Sequence, residues 1–317
     1  MTFPRRHFLR LASGAIALPA VLRMARAEDR PAAQQKSLAE RLAAYAHDLR
    51  YEELDADTIE RVKSHVIDTL GCGLAAFDEK PVRVCREVAF LSGGGGATVI
   101  GTKRRVAPDL AAFANDAAVR YLDLNDAYVA SVTGHPSDTI AACLAVAETE
   151  HASPAELFIA IVLAYEINCR LIDAIDISTR GWDVPVFNLP AVALAAGKLM
   201  KLPPEKLAQA VNLSLNDHIP MGQTRTQTLS DWKGVAAAEA GRNGVFAAML
   251  AMELIDSDAW AITVAVAAVT LLQFGIIGVF ARTAGRRNPY SISLRAAQWL
   301  VAFNVVLGPV ARLLIWV

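Results

Sequence analysis

Cysteine, strand-forming sequence and excess positive charge are all scarce in this 317-residue chain, and each scarcity removes a class of protein. The four cysteines, Cys72, Cys85, Cys143 and Cys169, stand 13, 58 and 26 positions apart, with no C-x-x-C pair and no Cys-His cluster at metal-ligand spacing. That excludes a disulfide-stapled scaffold and a thiolate metal site, and it leaves buried free thiols. The formal charge is −1 and unevenly spread: residues 1–27 carry +5, 256–317 carry +3 and 28–255 carry −9. An acidic body lacks the basic footprint that phosphate contacts need, so no nucleic-acid partner is expected. Only Ala97–Ile100, after Gly93–Gly96, reads as a strand, too little to build a parallel sheet. Disorder is excluded as well, because 54% of the residues are hydrophobic and the mean hydropathy is +0.33.

The chain opens with an address. Residues 1–27 carry Arg5-Arg6 ahead of Phe8-Leu9, an apolar stretch Leu11–Leu22 and the small-x-small pattern Ala25-Arg26-Ala27, which together read as a signal peptide. The paired arginines resemble a twin-arginine signal and predict a periplasmic protein exported after folding. The other reading of this stretch is an amphipathic first helix of the fold.

The body, residues 28–255, reads as helices. Ser37 before Glu40, Asp57 before Glu60 and Ser153 before Glu156 each place a capping side chain three residues ahead of a Glu, and Pro154 takes a first helical position where its missing N–H costs nothing. Apolar residues then recur at helical spacing, as in Ile59, Val62, Val66, Ile67, Leu70 and in Leu157, Ile161, Tyr165, Leu171. The pattern predicts helices over 37–48, 57–77, 82–91, 108–122, 137–150, 154–174, 189–201, 204–216 and 232–254. The expected fold class is all-α, a helical bundle with short connections.

Two familiar ligand motifs fail on their details. After Gly93–Gly96 and Gly101 come Thr102 and then Lys103, the reverse of the order a phosphate loop needs, so the glycines read as a turn. The run from Asp123 and Asn125 puts Tyr128 where a calcium loop needs Gly. The densest polar cluster, Tyr121–Tyr128 followed by Gly134-His135-Pro136-Ser137-Asp138, nevertheless places carboxylates and a His on a connection over a rigid bundle, a setting for acid/base chemistry. The plain alternative makes Asp123 and Asp126 helix-end polar residues and Ser137 or Asp138 an N-cap. Asp183, in Arg180-Gly-Trp182-Asp183, reads equally as a site edge or a packed turn. In Asp231-Trp232-Lys233-Gly234, Asp231 is expected to cap the following helix and Lys233, in its first turn, to receive an anion. Arg225, inside Gln223–Thr228, either holds a carboxylate or is solvated. His47, His65, His151 and His218 are scattered and read as packing or surface residues.

Four of these segments in order, Tyr121-Leu-Asp-Leu-Asn-Asp126, His135-Pro-Ser-Asp138, Arg180-Gly-Trp-Asp183 and Trp232-Lys-Gly-Val-Ala-Ala-Ala-Glu-Ala-Gly-Arg-Asn-Gly244, resemble the MmgE/PrpD family. The resemblance covers about residues 37–255 and implies a large helical domain followed, in the family, by a smaller α/β lid domain. It implies lyase chemistry of the 2-methylcitrate dehydratase or cis-aconitate decarboxylase kind on a small di- or tricarboxylate, without metal or organic cofactor, in a homodimer. By position, His135 matches the family's general acid/base histidine, Asp123 its acidic site residue and Lys233 the lysine that pairs with a substrate carboxylate. Asp183 falls where the decarboxylase branch has a His, which favours dehydration over decarboxylation, and Asp126 is a supporting candidate. Isomerase or epimerase chemistry shares the proton-abstraction step.

Residues 256–317 show no such resemblance. Ala259–Ala281 holds 23 residues without a charge, enough to cross a bilayer, and Arg282, Arg286 and Arg287 come directly after it. A second, weaker span is Ala296–Val317, interrupted by Pro309 and Arg312. The tail is a membrane anchor, a buried helix, or a fused or frame-shifted segment in place of the lid domain. The abrupt end of the resemblance favours the last, which predicts loss of activity. The competing function is a membrane-tethered module that binds carboxylates or a partner without turnover.

Overall fold

The computed structural model describes residues 36–254, apart from 178, 217 and 227. The signal-like residues 1–27 and the apolar tail therefore lie outside the described residues. The chain divides into two units, Met1–Met252 and Glu253–Val317, and the helical body belongs to the first. Among the described residues no helix is long and apolar enough to cross a membrane.

The described chain is helical, as the apolar spacing predicts: α1 (Leu38–Asp48), α2 (Ala56–Ala75), α3 (Lys80–Ala89), α4 (Pro108–Tyr121), α5 (Ile140–Thr149), α6 (Pro154–Ala174), α7 (Asn188–Leu199), α8 (Pro204–Leu215) and α9 (Ala236–Leu254). The capping boxes of α1 and α6 form as expected, with Ser37 and Ser153 accepting from the amides of Glu40 and Glu156 while those carboxylates accept from the serine amides. The start of α2 differs from expectation. Asp55, two residues before Asp57, is the cap and accepts from the Thr58 amide at 2.7 Å, because α2 begins at Ala56 and Asp57 already lies inside its first turn.

Two helices form the centre. In α4 and α7 nearly every side chain is buried, Asp116 and Arg120 among them. Helices α2, α3 and α5 pack on α4, while α1, α5, α6 and α8 pack on α7, so α5 joins the two halves of the core. Alanine at 111, 112, 114, 117 and 118 and at 191, 193, 195 and 196 lets neighbouring backbones approach closely.

Strand is sparse but not confined to one place. β1 (Ala97–Thr98) pairs antiparallel with β2 (Arg105–Val106), so the expected strand is two residues long. A second hairpin, β3 (Tyr128–Val129) with β4 (Thr133–Gly134), was not legible, since two-residue strands carry no periodicity. The glycine run before β1 has a packing cause. A Cβ on Gly95 would stand 2.0 Å from the Val106 backbone carbon, so only glycine lets the two segments touch.

Candidate active site

Helix α4 ends in an unusual turn. Asp123 has φ +58°, the left-handed region that non-glycine residues avoid, and its amide donates to the Arg120 carbonyl at 3.1 Å. The turn folds the Asp123 carboxylate back over the helix end, where it accepts from the Arg120 guanidinium and lies 3.2 Å from Lys233 Nζ. Both cations hold its pKa below the usual carboxylate range, against the opposing effect of partial burial.

Arg120 is only 5% exposed, so its charge needs partners inside the protein. Beyond Asp123 it has Asp138, whose Oδ2 lies 3.7 Å from Nε. Asp138 sits in a short 3₁₀ turn, Pro136–Thr139, that leads into α5. It does not cap the turn. Its Oδ1 accepts from Asn125 Nδ2 at 2.8 Å and its Oδ2 from Asn188 Nδ2 at 3.5 Å. Burial dominates and lifts its pKa to about 7 despite Arg120 and the amides. One turn back on α4, Asp116 is 1% exposed and neither carboxyl oxygen has a hydrogen-bond partner among the described residues. Its pKa is pushed well up, first by burial and then by Asp138.

His135 Nδ1 lies 2.6 Å from the backbone carbonyl oxygen of Asp126. A carbonyl can only accept, so Nδ1 carries the proton and Nε2 keeps its lone pair. Burial, and then Arg120, lower the imidazole pKa, so the ring is neutral near pH 7. Nε2 lies 3.7 Å from Asp123 Oδ1. Asp126 is itself pinned, accepting from the Ser137 amide and the Tyr165 hydroxyl, each at 3.0 Å.

The opposite wall comes from two further 3₁₀ turns, Gly222–Arg225 and Asp231–Gly234. Backbone bonds of 2.8 Å from Asp183 to Pro220 and from Gly222 to Gly181 tie the first of these to the segment before α7. Asp183, 2% exposed, accepts from Arg225 Nε at 2.5 Å and from the Val184 amide at 2.8 Å. Asp231 does not cap α9, which starts at Ala236, and Lys233 is not in its first turn. Lys233 instead stands in the turn that precedes the helix, where it pairs with Asp123 across the site.

These walls enclose a cavity of about 210 Å³, lined by Arg120, Asp123, Thr133, His135, Asp138, Val184, Pro185, Asn188, Arg225 and Lys233. That is below the roughly 300–1,000 Å³ of drug-sized sites and suits a small metabolite. Of the residues singled out in the sequence, Asp123, His135, Lys233 and Arg225 meet in this cavity. Asp183 and Asp126 do not line it and instead hold Arg225 and His135. Sequence reading does not single out Arg120 or Asn188, and it holds Asp138 within the polar cluster or as a cap without a role of its own. A signal for Arg120 existed: Asp116 and Arg120 stand four apart in an Ala-rich helix, which puts both on one buried face. Among the described residues no group of three His, Cys, Asp or Glu side chains is placed to hold a metal ion.

The sequence matches the MmgE/PrpD N-terminal domain over residues 40–275. The chain belongs to the MmgE/PrpD family. A second match, to the Cyclin M transmembrane N-terminal domain, covers residues 242–317. Among curated relatives, the cis-aconitate decarboxylase-like protein oryM of Aspergillus oryzae is 29% identical over 67% of this chain and 46% of its own length. Human cis-aconitate decarboxylase is 29% identical over 68% of this chain and 46% of its own. The 2-methylcitrate dehydratase of Salmonella typhi is 41% identical over a shorter stretch, 26% of this chain and 18% of its own. The chain thus spans about half the length of the first curated relatives it matches.

Proposed function

We propose that this family member is a lyase-like protein that dehydrates a small di- or tricarboxylate of the 2-methylcitrate type without a cofactor. One observation carries the reading: the free Nε2 of His135 opens onto a small cavity that also presents Arg120, Arg225 and Lys233. A neutral imidazole is a base of the right strength near pH 7. Three cations in a confined space suit a substrate with several carboxylates and steady the charge that develops when a proton leaves the carbon beside one of them. The names of the relatives support dehydration and decarboxylation alike. Asp183, which by the resemblance stands where the decarboxylase branch has His, supports dehydration, and here it accepts from Arg225. The test is to incubate the purified chain with 2-methylcitrate and monitor the unsaturated product. Turnover that His135→Asn abolishes supports the proposal, and a variant as active as the parent refutes the site.

The second reading, a membrane-tethered carboxylate-binding module without turnover, is favoured by the match of residues 242–317 to a transmembrane domain. It expects retention in the membrane fraction after a carbonate wash, and calorimetric binding of tricarboxylate with no product. Export to the periplasm and homodimer formation belong to the proposal too, and are read by fractionation and by sedimentation.

A further inference from the structure

Removal of water from a hydroxy acid requires two proton movements, one away from carbon and one onto the departing oxygen. His135 serves the first through Nε2. The cavity offers few donors for the second. Arg120 and Arg225 never release a proton at working pH, Lys233 is paired with Asp123, and Asp123 is ionised between two cations.

Asp138 remains, and its surroundings set its protonation. Two carboxyl groups, Asp123 and Asp138, pair with one buried guanidinium, Arg120, and a third, the unbonded Asp116, feels its charge. Arg120 bonds Asp123 directly and lies 3.7 Å from Asp138, while Lys233 gives Asp123 a second cation. Asp116 and Asp138, both at least 95% buried, are then too costly to ionise together. The groups acting on Asp138 are Asp116 and Arg120 from α4, Asp126 from the connecting segment and Tyr165 from α6, and Asp123, His135, Arg225 and Lys233 line the same cavity. Burial outweighs Arg120 and the Asn125 and Asn188 amides, which favour the carboxylate. Asp138 Oδ1 is occupied by the Asn125 amide at 2.8 Å, while Oδ2 has only longer approaches, 3.5 Å to Asn188 and 3.7 Å to Arg120. Oδ2 is thus the less tightly held of the two oxygens.

We infer that Asp138 is the general acid of this site, acting on the leaving hydroxyl while His135 takes the proton from the neighbouring carbon; the inference rests on the proposed lyase function. The C–H bond breaks and its proton passes to His135 Nε2. The electron pair forms the carbon–carbon double bond as the C–O bond breaks, and the hydroxyl takes the Asp138 proton and departs as water. The step leaves an imidazolium and a carboxylate, and transfer of one proton between them through water restores both.

The test compares 2-methylcitrate with its analogue carrying fluorine in place of the hydroxyl, since fluoride leaves without being protonated. In Asp138→Asn, turnover of the hydroxyl substrate is expected to fall about 100-fold or more while the fluoro analogue keeps its parent rate. His135→Asn is expected to lose both. Equal losses on the two substrates, or no loss on either, overturn Asp138 as the acid. A parent protein that eliminates neither water nor fluoride fails the lyase reading itself, an outcome plainly different from a failure of Asp138 alone. Carbon-13 NMR of the aspartate-labelled parent chain adds a readout that needs no variant. A carboxyl assigned to Asp138 and titrating near 7 supports the proposal, and one titrating in the ordinary aspartate range overturns it.

Discussion

Arg225 Nε and Asp183 Oδ1 stand 2.5 Å apart, yet the two partners differ sharply in exposure: the Arg225 side chain is 32% exposed and that of Asp183 1%. Removing one member is therefore not equivalent to removing the other. Arg225→Ala leaves a buried carboxylate without its counter-charge and is expected to cost about 3 kcal/mol. Asp183→Asn leaves a guanidinium that turns to water, at a cost of about 1 kcal/mol. Urea denaturation of both variants checks the order.

Substrate affinity should separate from chemistry at the same wall. Lys233→Ala is expected to raise KM for a tricarboxylate by about tenfold, the worth of one hydrogen bond to a charged group, while His135→Asn lowers kcat by about 100-fold or more. Steady-state kinetics on the two variants distinguishes them. A lower kcat with unchanged KM in Lys233→Ala would show that this cation acts only in the transition state.

The pH profile is set by two opposed groups. The proposed mechanism requires His135 neutral, and its pKa is lowered by burial and Arg120. It also requires Asp138 protonated, with a pKa near 7. A bell is expected, with its acid limb below the ordinary imidazole value and its alkaline limb near 7. Asp138→Asn should lose the alkaline limb along with most of the rate.

Stability carries the opposite signature. A carboxyl whose pKa is raised on folding binds its proton more tightly in the native state. Its contribution is therefore fully present below the unfolded value, near 3.8, and is lost as pH rises to about 7. The Tm of the parent minus that of Asp138→Asn should be largest near pH 4 and decline steadily to pH 7.5. Differential scanning calorimetry across that window measures it.

Two glycines should respond with opposite sign. Gly71 lies within α2, and a Cβ there meets nothing within 4 Å, so Gly71→Ala is expected to stabilise by about 0.5–1 kcal/mol. Gly95→Ala drives a methyl into the backbone of β2, which cannot rotate aside, and is expected to cost about 3 kcal/mol. Thermal melts of the two variants decide it.

The sequence alone determined the helices. Their order, type and most boundaries come from capping residues and from apolar spacing, both local properties of the chain, as the boxes at Ser37 and Ser153 show. It also marked His135, Asp123, Lys233 and Arg225, because charged residues clustered around glycine and proline break the apolar pattern. Tertiary structure alone decided what each of them does. Lys233 lies 110 positions from Asp123 and Arg225 lies 42 from Asp183, and no local rule pairs residues at such distances. The neutral tautomer of His135 depends on a backbone carbonyl that sequence spacing does not reveal. The raised pKa of Asp138 comes from burial, against the pull of Arg120, and the dielectric around a side chain is fixed only once the helices have packed.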